Sequence, residues 1–156
     1  MSKQASALSL VASSILLDLA TAYGFDLTSP SNEIYLKLEQ KNFMPLVLEK
    51  HEPHVFSLTH YYKQNGDLMS DPDVTFVIFG GSNNHLIYPL TYTQHNLGIY
   101  WEVAFLNHER NCIDKFKPYA LKDLVEFCNI WMDNIHAQDW FLNQNKPNPQ
   151  LTVTKS

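Results

Sequence analysis

The sequence predicts an α+β domain: a largely antiparallel β-meander of about five to six strands, with an N-terminal and a C-terminal helix packed on one face. Three observations predict it. Apolar residues recur at three- and four-residue spacing near both ends of the chain, and they alternate every second residue between positions 34 and 105. The connections within that middle stretch are too short for parallel crossovers, which need about a dozen residues or more.

Leu8, Val11, Ile15, Leu19 and Ala22 set the first helix, with Ser9, Ser13 and Asp18 between them. Gly24 is placed to end it, because glycine tolerates the left-handed conformation of a helix C-cap, and Ser29-Pro30-Ser31-Asn32 reads as a turn. Ile34-Tyr35-Leu36-Lys37-Leu38 alternates, and residues 44–48 form a short apolar run. In residues 55–62, Phe56 and Leu58 point one way while Ser57 and Thr59 point the other. Val74, Phe76 and Ile78 form one face of the next strand. Gly80-Gly81-Ser82-Asn83-Asn84 then signals a hairpin, since such residues accept positive φ. Leu86, Tyr88, Leu90 and Tyr92 alternate after it. Beyond the turn at Gln94-His95-Asn96, Ile99, Trp101, Val103 and Phe105 read as one more strand. Pro118 opens the second helix. Its apolar stripe is Leu121, Leu124, Val125, Cys128, Trp131 and Ile135, with Lys122, Asp123, Glu126 and Asp133 outside. Residues 1–142 are expected to form a single domain. The tail, 143–156, is rich in Asn, Gln, Pro and Lys and is expected to fray.

Composition narrows the functional classes. With 45% hydrophobic and 17% charged residues among 156, the chain has the apolar content of a folded protein. The formal net charge is −5, and Arg110 is the sole arginine. Binding to phosphates needs clustered Lys and Arg, so direct nucleic-acid binding is disfavoured. An acidic chain is better matched to a basic surface on another protein. Cys112 and Cys128 are the two cysteines, too few for a disulfide framework. Residues 7–19 resemble a signal core superficially, but Asp18 and several serines interrupt it, and no run approaches the roughly 18–20 apolar residues that span a bilayer. A cytoplasmic location away from membranes is expected.

The most distinctive segment covers residues 60–73, His60-Tyr61-Tyr62-Lys63-Gln64-Asn65-Gly66-Asp67-Leu68-Met69-Ser70-Asp71-Pro72-Asp73. Asn65-Gly66 is a type I′ turn signal and Asp71-Pro72 starts a second bend. The expectation is an extended turn between a strand ending at Tyr62 and one starting near Asp73, with His60 on the face of Phe56 and Leu58. Its aspartates would bond nearby backbone N–H groups. A competing chemistry has His60, Asp67, Asp71 and Asp73 holding a hard divalent cation, the basis of a metal-dependent, hydrolase-like enzyme. The Asp-x-Asp-x-Asp-Gly spacing of a calcium loop is absent, so no metal and no cofactor are assigned. The segment is read first as a binding surface comprising His60, Tyr62, Asn65, Asp67, Asp71 and Asp73.

Other constellations carry less. His51-Glu52-Pro53-His54 lacks a second ligand pair for zinc. His108-Glu109-Arg110-Asn111-Cys112 offers a thiol and a base, but adjacency in a loop predicts neither convergence nor an oxyanion hole. Gly80-Gly81 has no phosphate-loop continuation, and there is no Gly-x-Ser-x-Gly elbow. The ladder Tyr88, Tyr92, Tyr100 and Trp101 would suit base stacking. Without flanking basic residues it reads as cross-strand packing.

Residues 60–73, Phe76, Pro89-Leu90-Thr91-Tyr92 and Leu97-Gly98-Ile99-Tyr100-Trp101-Glu102-Val103 resemble an uncharacterised domain-of-unknown-function family of bacterial mobile elements, plasmids and phages. The resemblance covers the central half of the chain and, more loosely, the Trp131 helix. It implies an accessory gene of a mobile element and transfers no catalytic residue. The function expected is a small acidic, non-enzymatic protein-binding accessory factor, one concrete form being an inhibitor of a host defence system. The metal-dependent enzyme is the alternative, and a homodimer through a sheet edge or face is a third reading.

Overall fold

A computed structural model describes residues 4–29, 34–81, 84–141 and 151–155. The chain opens with helix α1 (Leu10–Ala22). Ser9 caps it, its Oγ accepting the Ala12 N–H at 3.1 Å. At the other end Gly24 has φ 87°. This left-handed step lets the N–H groups of Gly24 and Phe25 reach the carbonyls of Thr21 and Ala20, a Schellman closure that matches the expected cap.

The strands follow as β1 (Tyr35–Gln40), β2 (Leu46–Glu52), β3 (Val55–Gln64), β4 (Asp67–Gly81) and β5 (Asn84–Gln94). A short 3₁₀ turn, His95–Leu97, leads to β6 (Ile99–Glu102), β7 (Ala104–Leu106) and β8 (Ile113–Phe116). Helix α2 (Pro118–Ala137) and β9 (Leu151–Lys155) complete the order. The large sheet runs β6-β5-β4-β3-β2-β1-β9, antiparallel at every step, and β7 pairs with β8 in a separate two-stranded sheet. The predicted α+β meander between two helices is the architecture observed. Its six meander strands are joined by a seventh.

Alternation decides which face each side chain serves. Leu36, Leu38, Leu46, Leu48, Phe56, Leu58, Val74, Phe76, Ile78 and Ile87 share one core with the stripes of α1 and α2. Val55, Val77 and Leu90 point to the other face, where Ala104, Leu106, Ile113 and Phe116 of the β7–β8 hairpin cover them. The tip of that hairpin is tied to the end of β2 by Arg110, whose Nε and Nη2 each donate to Glu52 at 2.8 Å.

Three expectations are corrected. First, residues 60–73 are not an extended turn. Strand β3 runs on to Gln64 and β4 begins at Asp67, so the turn is Asn65-Gly66 alone. The irregularity that Asp71-Pro72 signalled is a bulge inside the ladder, where pairing passes from Thr59↔Asp73 to Tyr61↔Ser70. A bulge absorbs a proline without ending the strand.

Second, residues 99–105 are two strands in different sheets. Val103 is buried at the break, donating its N–H to Leu90 O and accepting from Lys117 N–H, both at 2.8 Å. Leu90 is the extra residue of a bulge beside Pro89, where pairing passes from Thr75↔Thr91 to Phe76↔Pro89. Third, residues 151–155, expected within a fraying tail, pair antiparallel with β1 as β9. Alternating Thr and Val suit an edge strand, and β1 would otherwise leave its outer ladder unpaired. The hairpin residues Ser82 and Asn83 lie outside the described residues. Among the described residues no helix is long and apolar enough to cross a membrane.

Candidate functional site

Of the six residues expected to form one surface, His60 and Asp73 lie on opposite faces of the sheet. His60 faces the helices and is 8% exposed. Its ring lies 5.8 Å from that of Trp131 and 6.0 Å from that of Trp140. Nδ1 is 3.2 Å from Met44 O, and since a carbonyl only accepts, Nδ1 carries the proton. Burial pushes the imidazole below its ordinary value, against smaller upward pulls from the Met44 and Pro45 backbone and from Asp71. His60 is therefore neutral at pH 7. Tyr62 points the same way, with its Oη buried and unpartnered among the described residues.

Asp73 faces the other side. Thr59 Oγ1 donates to its Oδ1 at 2.9 Å, and burial raises its carboxyl while the Thr59 bond and the nearby His51 and His95 oppose that rise. On the same face, Ser57 Oγ and His51 Nε2 are 2.7 Å apart. Asp71 is half-buried, and its charge acts on His60 and Tyr92, which places it on the helix side. Asn65 is exposed at the turn. Asp67 pairs with Gln64 beside the turn, and its side chain lies outside the described residues. His60 and Asp73 thus do not converge. Among the described residues no group of three or more His, Cys, Asp or Glu side chains is arranged to hold a metal ion.

Of the other sequence candidates, Cys112 follows an ordered loop and Cys128 packs in the core. The loop before Cys112 is organised by Asn107, whose Oδ1 accepts the N–H groups of Asn111 at 2.8 Å and Cys112 at 3.1 Å. Cys128 is fully buried on α2, and burial alone pushes its thiol far up, so it stays protonated.

The feature that sequence reasoning passed over is a cleft of about 410 Å³ between β6 and the first turns of α2. Tyr92, Tyr100, Trp101, Glu102 and Val103 line it from the sheet, and Lys117, Ala120, Asp123, Leu124 and Phe127 from the helix side. Its aromatic wall is continuous. Tyr92 stacks on Trp101 at 5.3 Å, Phe127 meets Tyr92 edge-on at 5.6 Å, and Trp131 lies behind Phe127 at 5.9 Å. Trp101 is 54% exposed and Tyr100 59%. Tyr119, Asp123, Phe127 and Ile130 share one helical stripe, so the exposed apolar surface continues along α2.

Among the described residues, strand β6 ends the sheet. Val103 N–H points inward to Leu90 O, so alternation along an antiparallel pair aims the backbone groups of Glu102 and Tyr100 outward. The cleft therefore combines aromatic faces with open ladder positions. One sequence signal was available: Tyr100 and Trp101 are adjacent, and neighbours on a strand face opposite ways. A core on one side of the sheet cannot bury both.

The fold and cleft define an α+β domain whose helices shield one sheet face and leave a sheet edge beside exposed aromatic side chains. A family model described as Domain of unknown function (DUF6908) matches residues 19–141, from late α1 through α2, and the chain belongs to that family. Nothing among curated proteins and nothing among solved structures matches it.

Proposed function

We propose that this domain is a non-catalytic protein-binding factor whose contact surface is the aromatic cleft at β6. The observation that carries the reading is the exposure of Trp101 and Tyr100 beside outward-pointing backbone groups. Aromatic side chains concentrate binding energy at interfaces, and an open sheet edge offers ready hydrogen-bond partners. We place it as an accessory factor of a bacterial mobile element, with inhibition of a host defence system as one concrete form. The net charge of −5 supports a basic partner surface. The metal-dependent alternative would need His60, Asp67, Asp71 and Asp73 to meet, and the opposite facing of His60 and Asp73 supports the protein-binding reading over it.

The test is affinity capture of tagged wild-type and Trp101→Ala protein from the natural host, with melting curves alongside. The reading predicts a partner held by the wild type and lost by a variant that melts normally. Capture of no partner, or equal capture by both, would overturn it.

A further inference from the structure

We infer that the cleft takes an extended basic segment of a partner protein, added as a strand to β6 with one arginine or lysine side chain against Trp101, Tyr92 and Phe127. The inference deepens the protein-binding reading and rests on it. Three features of the cleft define the occupant.

The first is the backbone. The outward N–H and C=O groups of Tyr100 and Glu102 are satisfied by an extended chain, which pairs with a sheet edge as a further strand. A helix or a compact loop has no spare ladder groups to offer them. The second is the wall. The faces of Trp, Tyr and Phe rings carry negative potential and attract a cation within about 6 Å of the ring centre. Trp101 stacks on Tyr92 and Phe127 meets that ring edge-on, so the incoming group meets joined rings rather than a single one. The aliphatic stem of an arginine or lysine covers apolar ring surface while its head stays polar.

The third is charge. Glu102 and Asp123 line the cleft against the single cation of Lys117, in a chain of net charge −5. An acidic segment meets Asp123 on the aromatic face and, because side chains alternate, Glu102 on the opposite face of the added strand. A second copy of this chain would bring its own Glu102 and a like net charge to the same edge. A basic segment has complementary charge at both the local and the molecular scale.

The measurement is selection from a randomised decapeptide display library on the full chain, run in parallel on wild type, Trp101→Ala and Asp123→Asn. Sedimentation of the wild type accompanies it. Both substituted residues are exposed, and thermal melting confirms that each variant folds. The expected result is a consensus of alternating residues with Arg or Lys at one fixed position. Its affinity should drop about tenfold or more in Trp101→Ala and several-fold in Asp123→Asn. Replacing the fixed arginine of the selected peptide by citrulline, a neutral isostere, should cost about as much as losing Trp101. A Trp101-dependent consensus without a basic residue overturns this inference and leaves the protein-binding reading standing. A wild-type dimer abolished by Trp101→Ala overturns it in favour of a second copy. Absence of any Trp101-dependent enrichment overturns both it and the assignment of the cleft as the contact surface.

Discussion

At Asn65-Gly66 the backbone has φ of 54° and 86°, both in the left-handed region that a two-residue type I′ hairpin requires. A Cβ on Gly66 would meet nothing within 4 Å, so the restriction there is conformational rather than steric crowding. Gly66→Val is expected to cost about 1 kcal/mol or more in urea unfolding. An unchanged midpoint would show that the turn is not held in this form. His60 makes a second prediction at this scale. Its folded-state value lies below 6.5, so below about pH 6.5 the unfolded chain binds a proton that the folded chain resists. Stability contributed by neutral His60 is full above that pH and is lost as pH falls through it. Asp73 acts with the opposite sign. Its raised carboxyl makes the folded chain bind the extra proton above 3.8, so rising pH costs stability across that window. Because Asp73 stays in both proteins, comparing wild type with His60→Phe isolates the histidine. The loss of stability from pH 7.5 to 5.5 should be smaller in His60→Phe, and an equal loss would contradict the burial of a neutral imidazole. The Asn-Gly turn was legible from residue type alone. The neutrality of His60 was not, because it depends on Trp131 and Trp140, which are distant in sequence.

The elements show where periodicity informs and where it stops. Helix α2 was readable because its stripe recurs at helical spacing, and Trp131 on that stripe is buried as expected. Trp140 was missed because it lies past the helix end, where no repeat marks it. It is nevertheless fully buried. Its Nε1 donates to Gln138 Oε1 at 3.0 Å, its carbonyl accepts from Tyr23 Oη, and Gln40 Nε2 donates to Gln138 O at 2.8 Å. Burial, with Asp139 adding to it, pushes the Tyr23 phenol upward, which keeps it a donor. These bonds fix the segment after α2 against α1 and β1. Trp140→Ala should cost about 3–5 kcal/mol in denaturant unfolding, as a large side chain leaving a cavity, and normal stability would show the residue misplaced. Alternation likewise identified β3 and β4. It could not give their length, because Asp71-Pro72 reads as a bend in sequence and is absorbed as a bulge in the ladder.

In the whole molecule, the sheet has three different borders. One face is closed by α1 and α2, part of the other by the β7–β8 hairpin, and the β6 edge borders the aromatic cleft. Fold class was legible because each element carries its own period. The site was not, because a cleft is made by an edge and a helix brought together by packing, and Asp71 and Asp73, close in sequence, are split between faces. Two surfaces are therefore candidates for the proposed contact: the β3–β4 turn with Asp67 beside it, and the cleft with Trp101. The most direct measurement is the affinity of the captured partner for wild type, Asp67→Ala and Trp101→Ala in one titration series. If the cleft is the contact surface, binding weakens about tenfold or more in Trp101→Ala and is unchanged in Asp67→Ala. Loss of binding in Asp67→Ala with full affinity in Trp101→Ala would contradict it.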